Sequence, residues 1–318
     1  MRAVWLTEFG GPEVLVAADT PDPEPGPGQV LVDVAFANIT FVETQFRASG
    51  FGPFAAEPPL IPGNGVGGTV TSVGPGVDPG LVGRRVVSAT GGSGGYAERV
   101  AVDAAGFLDV PQNLALDDAV ALLADGRTAI LLARAVDLRR EDRVLVEAAA
   151  GGVGSLLVQL ARAAGATVIA AVGGPRKAVV ARGLGADVVV DYREPDWADR
   201  TRSAVETVDV VFDGVGGVIG RTAFRLLDRG GRMVSYGLAS GEWADVPAAE
   251  AASRAVSLVR ASASPEELRS YAATALAEAA AGRLRPLIGQ RFALERAADA
   301  HAAIEARATI GKTLLAVR

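Results

Sequence analysis

The sequence predicts an α/β protein in two parts, a doubly wound parallel sheet and a β-rich, barrel-like domain. Three observations predict it. From about residue 121, short apolar runs alternate with helical stretches, an order that needs parallel strands and crossover helices. Those runs are nearly continuous in Val, Ala and Leu, as strands covered on both faces are. Before that point, β-branched runs are parted by glycines, the texture of a small barrel or twisted sheet. At 318 residues the chain exceeds one ordinary core. Two domains are expected, 1–121 with 263–318 and 122–262.

In the first part, "QVLVDVAFANI", "GNGVGGTVTSVGPGV" and "GRRVVSATGGSGGYAERVAV" are strand runs between turn signals. "TPDPEPGPGQ" reads as a surface turn, because strand patterning resumes after it. "LDDAVALLADGRTAILLARAV" has helical spacing, with Asp117 or Asp118 as its cap. Strands follow at Val144–Val146, Thr167–Val172, Asp187–Val190, Asp209–Phe212 and Arg232–Tyr236, with helices at Ser155–Ala164 and Lys177–Leu184. "SPEELRSYAATALAEAAAG" is a helix opened by Ser264, with Glu267 at the capping-box position. The tail from Leu284 ends in a strand expected to return to the first domain.

Composition excludes several chemistries. The chain is 49% hydrophobic and 21% charged, which suits a packed globule. A formal net charge of −6 argues against a nucleic-acid surface. There is no cysteine, so disulfides, thiol nucleophiles and thiolate metal sites are excluded. His301 is the only histidine, so no metal site is expected. "MRAVWLTEFGGPEVL" lacks the apolar core of a signal peptide, and no apolar run reaches about 18 residues. A cytoplasmic protein without a membrane span is the expectation.

The stretch from Val144 to Lys177 carries the chemistry. An apolar strand enters a turn, Glu147–Gly154, with Ala148, Gly151, Gly152 and Gly154 at its tight points. A helix leaves it, so free N–H groups and a positive dipole end face the turn. This is the dinucleotide-binding (Rossmann) arrangement. The end of the second strand reads Ala171, Val172, Gly173, Gly174, where an NAD enzyme usually has an acid. Arg176 and Lys177 follow at once. A small residue with adjacent cations accepts a 2′-phosphate that an acid would repel, so the pattern points to NADPH. The alternative is that Arg176 and Lys177 form a solvated first helical turn.

These segments together resemble the medium-chain dehydrogenase/reductase superfamily, in its zinc-independent quinone oxidoreductase (zeta-crystallin-like) branch. The resemblance rests on "GPEVL", "ANITFVETQFRASG", "PPLIPGNGVGGTV", "GGYAE", "DGRTA", "AAAGGVG", "GADVVVDY", "VDVVFDGVGG", "GGRMVSYG" and "GKTLL", in order along nearly the whole chain. It implies a GroES-like catalytic domain with an inserted Rossmann domain, and a cofactor in the cleft. Ala150, Gly151, Gly152, Val153 and Gly154 would meet the pyrophosphate. Gly173, Lys177 and Tyr192 would hold the adenosine phosphate end, and Lys312 would close it. Gly214, Val215, Gly237 and Leu238 would border the ribose and nicotinamide, with Asn38 and Thr128 beside the nicotinamide.

The sequence departs from that family where zinc-dependent members carry Gly-His-Glu, since "IPGNGVGG" has Asn64. It also has Gln45 and Phe51 where quinone reductases often have tyrosines. Phe41, Gln45, Phe51 and Arg127 are the candidate substrate residues. Arg127 either binds an anionic substrate or pairs with Asp125.

Without a metal, a thiol or an available imidazole, the acceptor must be electrophilic on its own. Quinones and α,β-unsaturated carbonyls fit, and no catalytic acid is assigned. The expected function is an NADPH-dependent reductase of that acceptor class, including a pathway-specific enoyl reductase. The alternative is an NADPH-binding protein without turnover. "RAVSLVRAS" reads as an apolar edge strand, and in relatives of this branch such a strand pairs between subunits, so a homodimer is expected.

Overall fold

The computed structural model describes residues 1–54 and 56–317. Its elements, in chain order, begin with β1 (Arg2–Leu6), β2 (Leu15–Asp19), β3 (Gln29–Ile39), α1 (Phe41–Ser49), β4 (Gly65–Val73), β5 (Arg85–Ala89), β6 (Arg99–Asp103) and β7 (Leu108–Asp109). Then come α2 (Leu116–Ala135), β8 (Arg143–Glu147), α3 (Gly152–Ala163), β9 (Thr167–Val172), α4 (Pro175–Gly183), β10 (Val188–Asp191), α5 (Trp197–Val205), β11 (Val208–Asp213), α6 (Gly217–Leu226) and β12 (Leu227–Ser235). The chain closes with α7 (Ala248–Ser253), β13 (Ser257–Val259), α8 (Pro265–Ala280), β14 (Ile288–Ala293), α9 (Ala297–Glu305) and β15 (Lys312–Ala316). Two compact units result: Met1–Gly126 with the residues from Ala272 on, and Arg127–Tyr271. The divisions fall inside α2 and α8.

In the first unit, β3 alternates, burying Val30, Val32 and Val34 completely. It pairs antiparallel with β4, β6 and β15 in a seven-stranded sheet. The tail returns to this sheet through β15. Its core joins Val30, Val66 and Phe46 to Leu294 and Leu315.

The second unit holds a six-stranded parallel sheet in the order β10-β9-β8-β11-β12-β13. Its strands run 3-2-1-4-5-6 in order of appearance, the Rossmann order with a topological switch between β8 and β11. Val144, Leu145 and Val146 are all fully buried, as the continuous apolar run requires. The register sets Phe212 beside Val146, so Glu147 and Asp213 finish the two strands that flank the switch.

Three local expectations are corrected. The helix α3 begins at Gly152, not Ser155, so Gly152 and Gly154 lie in its first turn rather than in the loop. The helix α2 begins at Leu116, so Asp117 and Asp118 stand inside the first turn and act on the helix dipole instead of capping it. The strand β12 begins at Leu227, ahead of the expected Arg232. The capping box of α8 is formed as expected: Ser264 N–H donates to Glu267 Oε2 at 2.7 Å, and Glu267 N–H donates to Ser264 Oγ at 3.2 Å. No described helix is long and apolar enough to cross a membrane.

His301, on α9, is buried, with Nε2 2.9 Å from the Tyr96 hydroxyl. Burial, with the Arg47 charge nearby, holds its imidazole down at about 3. A depressed histidine lends stability that is present above its ordinary value and lost as pH falls toward the folded one. Between about 6.5 and about 3, His301 is expected to steepen acid destabilisation. The added slope is up to about 1.4 kcal/mol per pH unit. Urea unfolding against pH should show that extra slope in the native chain and not in His301→Gln. Equal slopes would contradict it.

Candidate functional site

The site begins where β8 turns into α3. Ala148 takes a left-handed conformation, with φ of 46°, and folds the chain back on itself. Gly151 N–H then donates to the Ala148 carbonyl at 2.7 Å, and Ser155 N–H donates to the Gly151 carbonyl at 2.9 Å. A Cβ on Gly154 would stand 2.3 Å from the Ala148 carbonyl oxygen, so the turn closes only over glycine. The helix packs through Leu156, Leu157, Val158 and Ala161, which holds its N-terminus at the carboxyl edge of the sheet. Ala150 is buried in the turn, whereas Gly151, Gly152 and Val153 are half-buried at its outer face. This is a positive helix end with closely approaching main chain, suited to an anion.

The next edge position lies after β9. Gly174 caps α4 with φ of 112°, and Pro175 occupies the first helical position. Arg176 is exposed and Lys177 half-buried in the first turn. The Tyr192 hydroxyl lies over Gly173, 2.9 Å from where a Cβ would be. Arg193 lies over Gly174 in the same way, its guanidinium 2.6 Å from that glycine's missing Cβ. Asp191 fixes this arginine from Nε at 3.1 Å and from Nη2 at 2.9 Å. The Arg193 hydrogen bond holds the Asp191 carboxyl below its ordinary value. Arg193 is thus a third cation at this edge. The sequence reading missed it because it depends on β10 lying beside β9.

At the switch point two further turns meet. Ser240 N–H donates to the Val215 carbonyl at 2.8 Å, and Ala239 N–H to the Gly214 carbonyl at 3.3 Å. Gly214 and Val215 are buried, and Gly237 and Leu238 are half-buried. Glu147 and Asp213, both fully buried, lie beneath. They accept the Val215 N–H at 3.1 and 3.2 Å, and Asp213 also accepts the Gly216 N–H at 2.7 Å. Ser235 donates to Asp213 Oδ2 at 2.7 Å. Neither carboxyl was among the candidates, although a charged residue ending an apolar strand run is a visible signal.

The remaining candidates divide between the units. Thr128 and Arg127, both half-buried, belong to the second unit. Asn38, Phe41, Gln45, Phe51 and Lys312 belong to the first. Asn38 is 1% exposed, its amide packed against Gly65, and its Oδ1 has no hydrogen-bond partner. Phe41 and Gln45 are half-buried on α1, while Phe51 is 58% exposed. Glu43, also on α1, accepts from Thr40 N–H at 2.6 Å, Thr40 Oγ1 at 2.8 Å and Asn64 N–H at 2.8 Å. It ties α1 to the loop before β4, and burial raises its carboxyl above the ordinary range.

Lys312 opens β15. Its ammonium is buried and donates to Asp125 Oδ1 at 2.9 Å. A lysine so enclosed is tied to its counter-ion. Asp125 is correspondingly held by Lys312.

The chain is similar to known proteins along its length. An alcohol dehydrogenase GroES-like domain model matches residues 26–112, and a zinc-binding dehydrogenase model matches residues 184–315. A quinone oxidoreductase of Pseudomonas aeruginosa is 33% identical over 99% of both chains. A 2-haloacrylate reductase of a Burkholderia species is 35% identical, over 76% of this chain and 74% of its own. The Escherichia coli quinone oxidoreductase, solved in complex with NADPH, superposes with a TM-score of 0.91 at 30% identity, over 99% of this chain and 100% of that one. A zinc ion does not fit the residues present. The chain offers no thiolate, its one imidazole is enclosed with Tyr96, and no group of three metal-ligating side chains forms among the described residues.

Gly154→Ala should destabilise the protein by about 1–3 kcal/mol, because its methyl group would overlap the Ala148 carbonyl. Urea unfolding measures this. A loss below about 0.5 kcal/mol would mean the turn is not closely packed.

Proposed function

The chain belongs to the quinone oxidoreductase branch of the medium-chain dehydrogenase/reductase superfamily, and on that premise we propose that it is an NADPH-dependent reductase, passing hydride to a quinone or an α,β-unsaturated carbonyl without zinc. The observation that carries this reading is the edge of the parallel sheet. A glycine-closed turn opens α3, and the end of β9 offers two glycines and cations in place of an acid.

Gly151 to Gly154 would seat the diphosphate at the α3 N-terminus. Arg176, Lys177 and Arg193 would hold the 2′-phosphate, with Tyr192 beside the ribose. Val215 and Leu238 would border the nicotinamide end. When bound, NADPH supplies hydride from its nicotinamide C4. The chain contributes orientation and exclusion of water. The acceptor must therefore spread developing charge through its own conjugation. The Pseudomonas and Escherichia relatives support a quinone, and the Burkholderia relative supports an activated alkene. We also read β13 as a dimer edge. Among the described residues it pairs with β12 alone, and it leaves Leu258 42% exposed.

Three outcomes are expected. NADPH mixed with the protein and a panel of quinones and enones should be consumed. Tight NADPH binding with no turnover on any acceptor would favour the non-catalytic reading instead. Lys177→Ala and Arg193→Ala should each weaken NADPH about tenfold or more while leaving NADH unchanged, since each removes a charge-assisted bond to the phosphate. Equal loss for both cofactors in a fluorescence titration would count against these roles. Light scattering at micromolar concentration should give twice the 32.4 kDa chain mass, and a monomer would refute the edge pairing.

A further inference from the structure

Glu147 and Asp213 end adjacent strands at the switch point, and no role above uses either. Both are fully buried. Glu147 Oε2 and Asp213 Oδ1 converge on a single donor, the Val215 N–H. One N–H cannot satisfy two carboxylates. Glu147 Oε1 meets no donor at all. Among the described residues, the surroundings supply no counter-charge. In register with Glu147, β9 presents Ala171. From β11 comes Asp213, from β12 comes Ser235, bonded to Asp213, and just after β12 comes Tyr236, whose hydroxyl lies over Gly214. No cation is among the groups acting on Glu147. Immediately after Glu147 comes the turn proposed to take a diphosphate.

We propose that Glu147 is a positioning residue kept as the neutral acid, whose proton, shared with Asp213, holds the Val215–Gly216 turn in place for NADPH. Loss of that proton would weaken binding in two ways. It would put two buried negative charges side by side beneath the turn, and set one of them at the foot of the anion-binding helix end. Burial, reinforced by the Asp213 carboxylate, pushes the Glu147 carboxyl well above its ordinary range. A raised carboxyl lends stability that is complete below its unfolded value and is lost as pH rises through the folded one. The inference rests on the NADPH reading above.

The test compares the native chain with Glu147→Gln, a neutral isostere that cannot ionise. NADPH affinity is titrated by fluorescence from pH 6.5 to 9.5, and urea unfolding of the cofactor-free protein is followed from pH 5 to 9.5. In the native chain the dissociation constant should climb with rising pH, by up to about tenfold per unit once Glu147 ionises, and the urea midpoint should fall. Glu147→Gln should lack both trends. Parallel profiles for the two proteins would overturn the inference while leaving the cofactor reading intact. So would a variant too unstable to fold, because a neutral side chain is what the site is held to require. Absence of NADPH binding by the native chain at every pH would remove the cofactor reading, and the positioning role with it.

Discussion

The structure of this site depends on one close approach, Gly154 against the carbonyl of Ala148. With no side chain between them, α3 starts almost directly at the end of β8, and its positive end stays at the sheet edge. The left-handed Ala148 makes the reversal, and the buried face of α3 anchors it. The other edge turns are arranged around this one. The Ala149 N–H reaches across to the Ala171 carbonyl at 3.3 Å, which ties the turn to β9. On the opposite side, Glu147 reaches the Val215 amide and ties the turn to β11. Three loops from three strands are thereby held as one surface.

Charge is distributed along that surface with a consistent logic. Cations stand at the outer end, near β9 and β10, where solvent still reaches them. Arg193 is 57% exposed, and its partner Asp191 is 16% exposed. Toward the switch point the groups are buried and acidic, and they serve the main chain by accepting amide protons. In the other unit, buried charges are also spoken for: Lys312 by Asp125, and Glu43 by three donors. The chain has no thiol, and its one imidazole is enclosed with Tyr96. On the reading proposed above, such a protein orients a reduced cofactor and takes an acceptor that is already electron-poor.

Much of the fold is legible in the sequence because its strands are buried on both faces. Val144–Val146 and Thr167–Val172 stand out as apolar runs whatever their neighbours. The glycine turn is legible for the same local reason. Helix starts are less so: Gly152 reads as loop by propensity, yet close packing draws it into α3. The α2 start at Leu116 has no side-chain signal of its own. Arg193, Asp213 and Glu147 escaped because their meaning lies in strand order. A chain that is linear in sequence sets Asp213 beside Glu147 only after β9 and β10 have been laid on the far side of β8. The Lys312–Asp125 pair escaped for a related reason, since its members stand 187 residues apart.

The most direct measurement is a crystal structure of the protein grown with NADPH. The diphosphate should lie on the main chain of Gly151 to Gly154 at the start of α3, with the 2′-phosphate among Arg176, Lys177 and Arg193. A dinucleotide lodged elsewhere, or a turn that stays bare at saturating NADPH, would contradict the central claim.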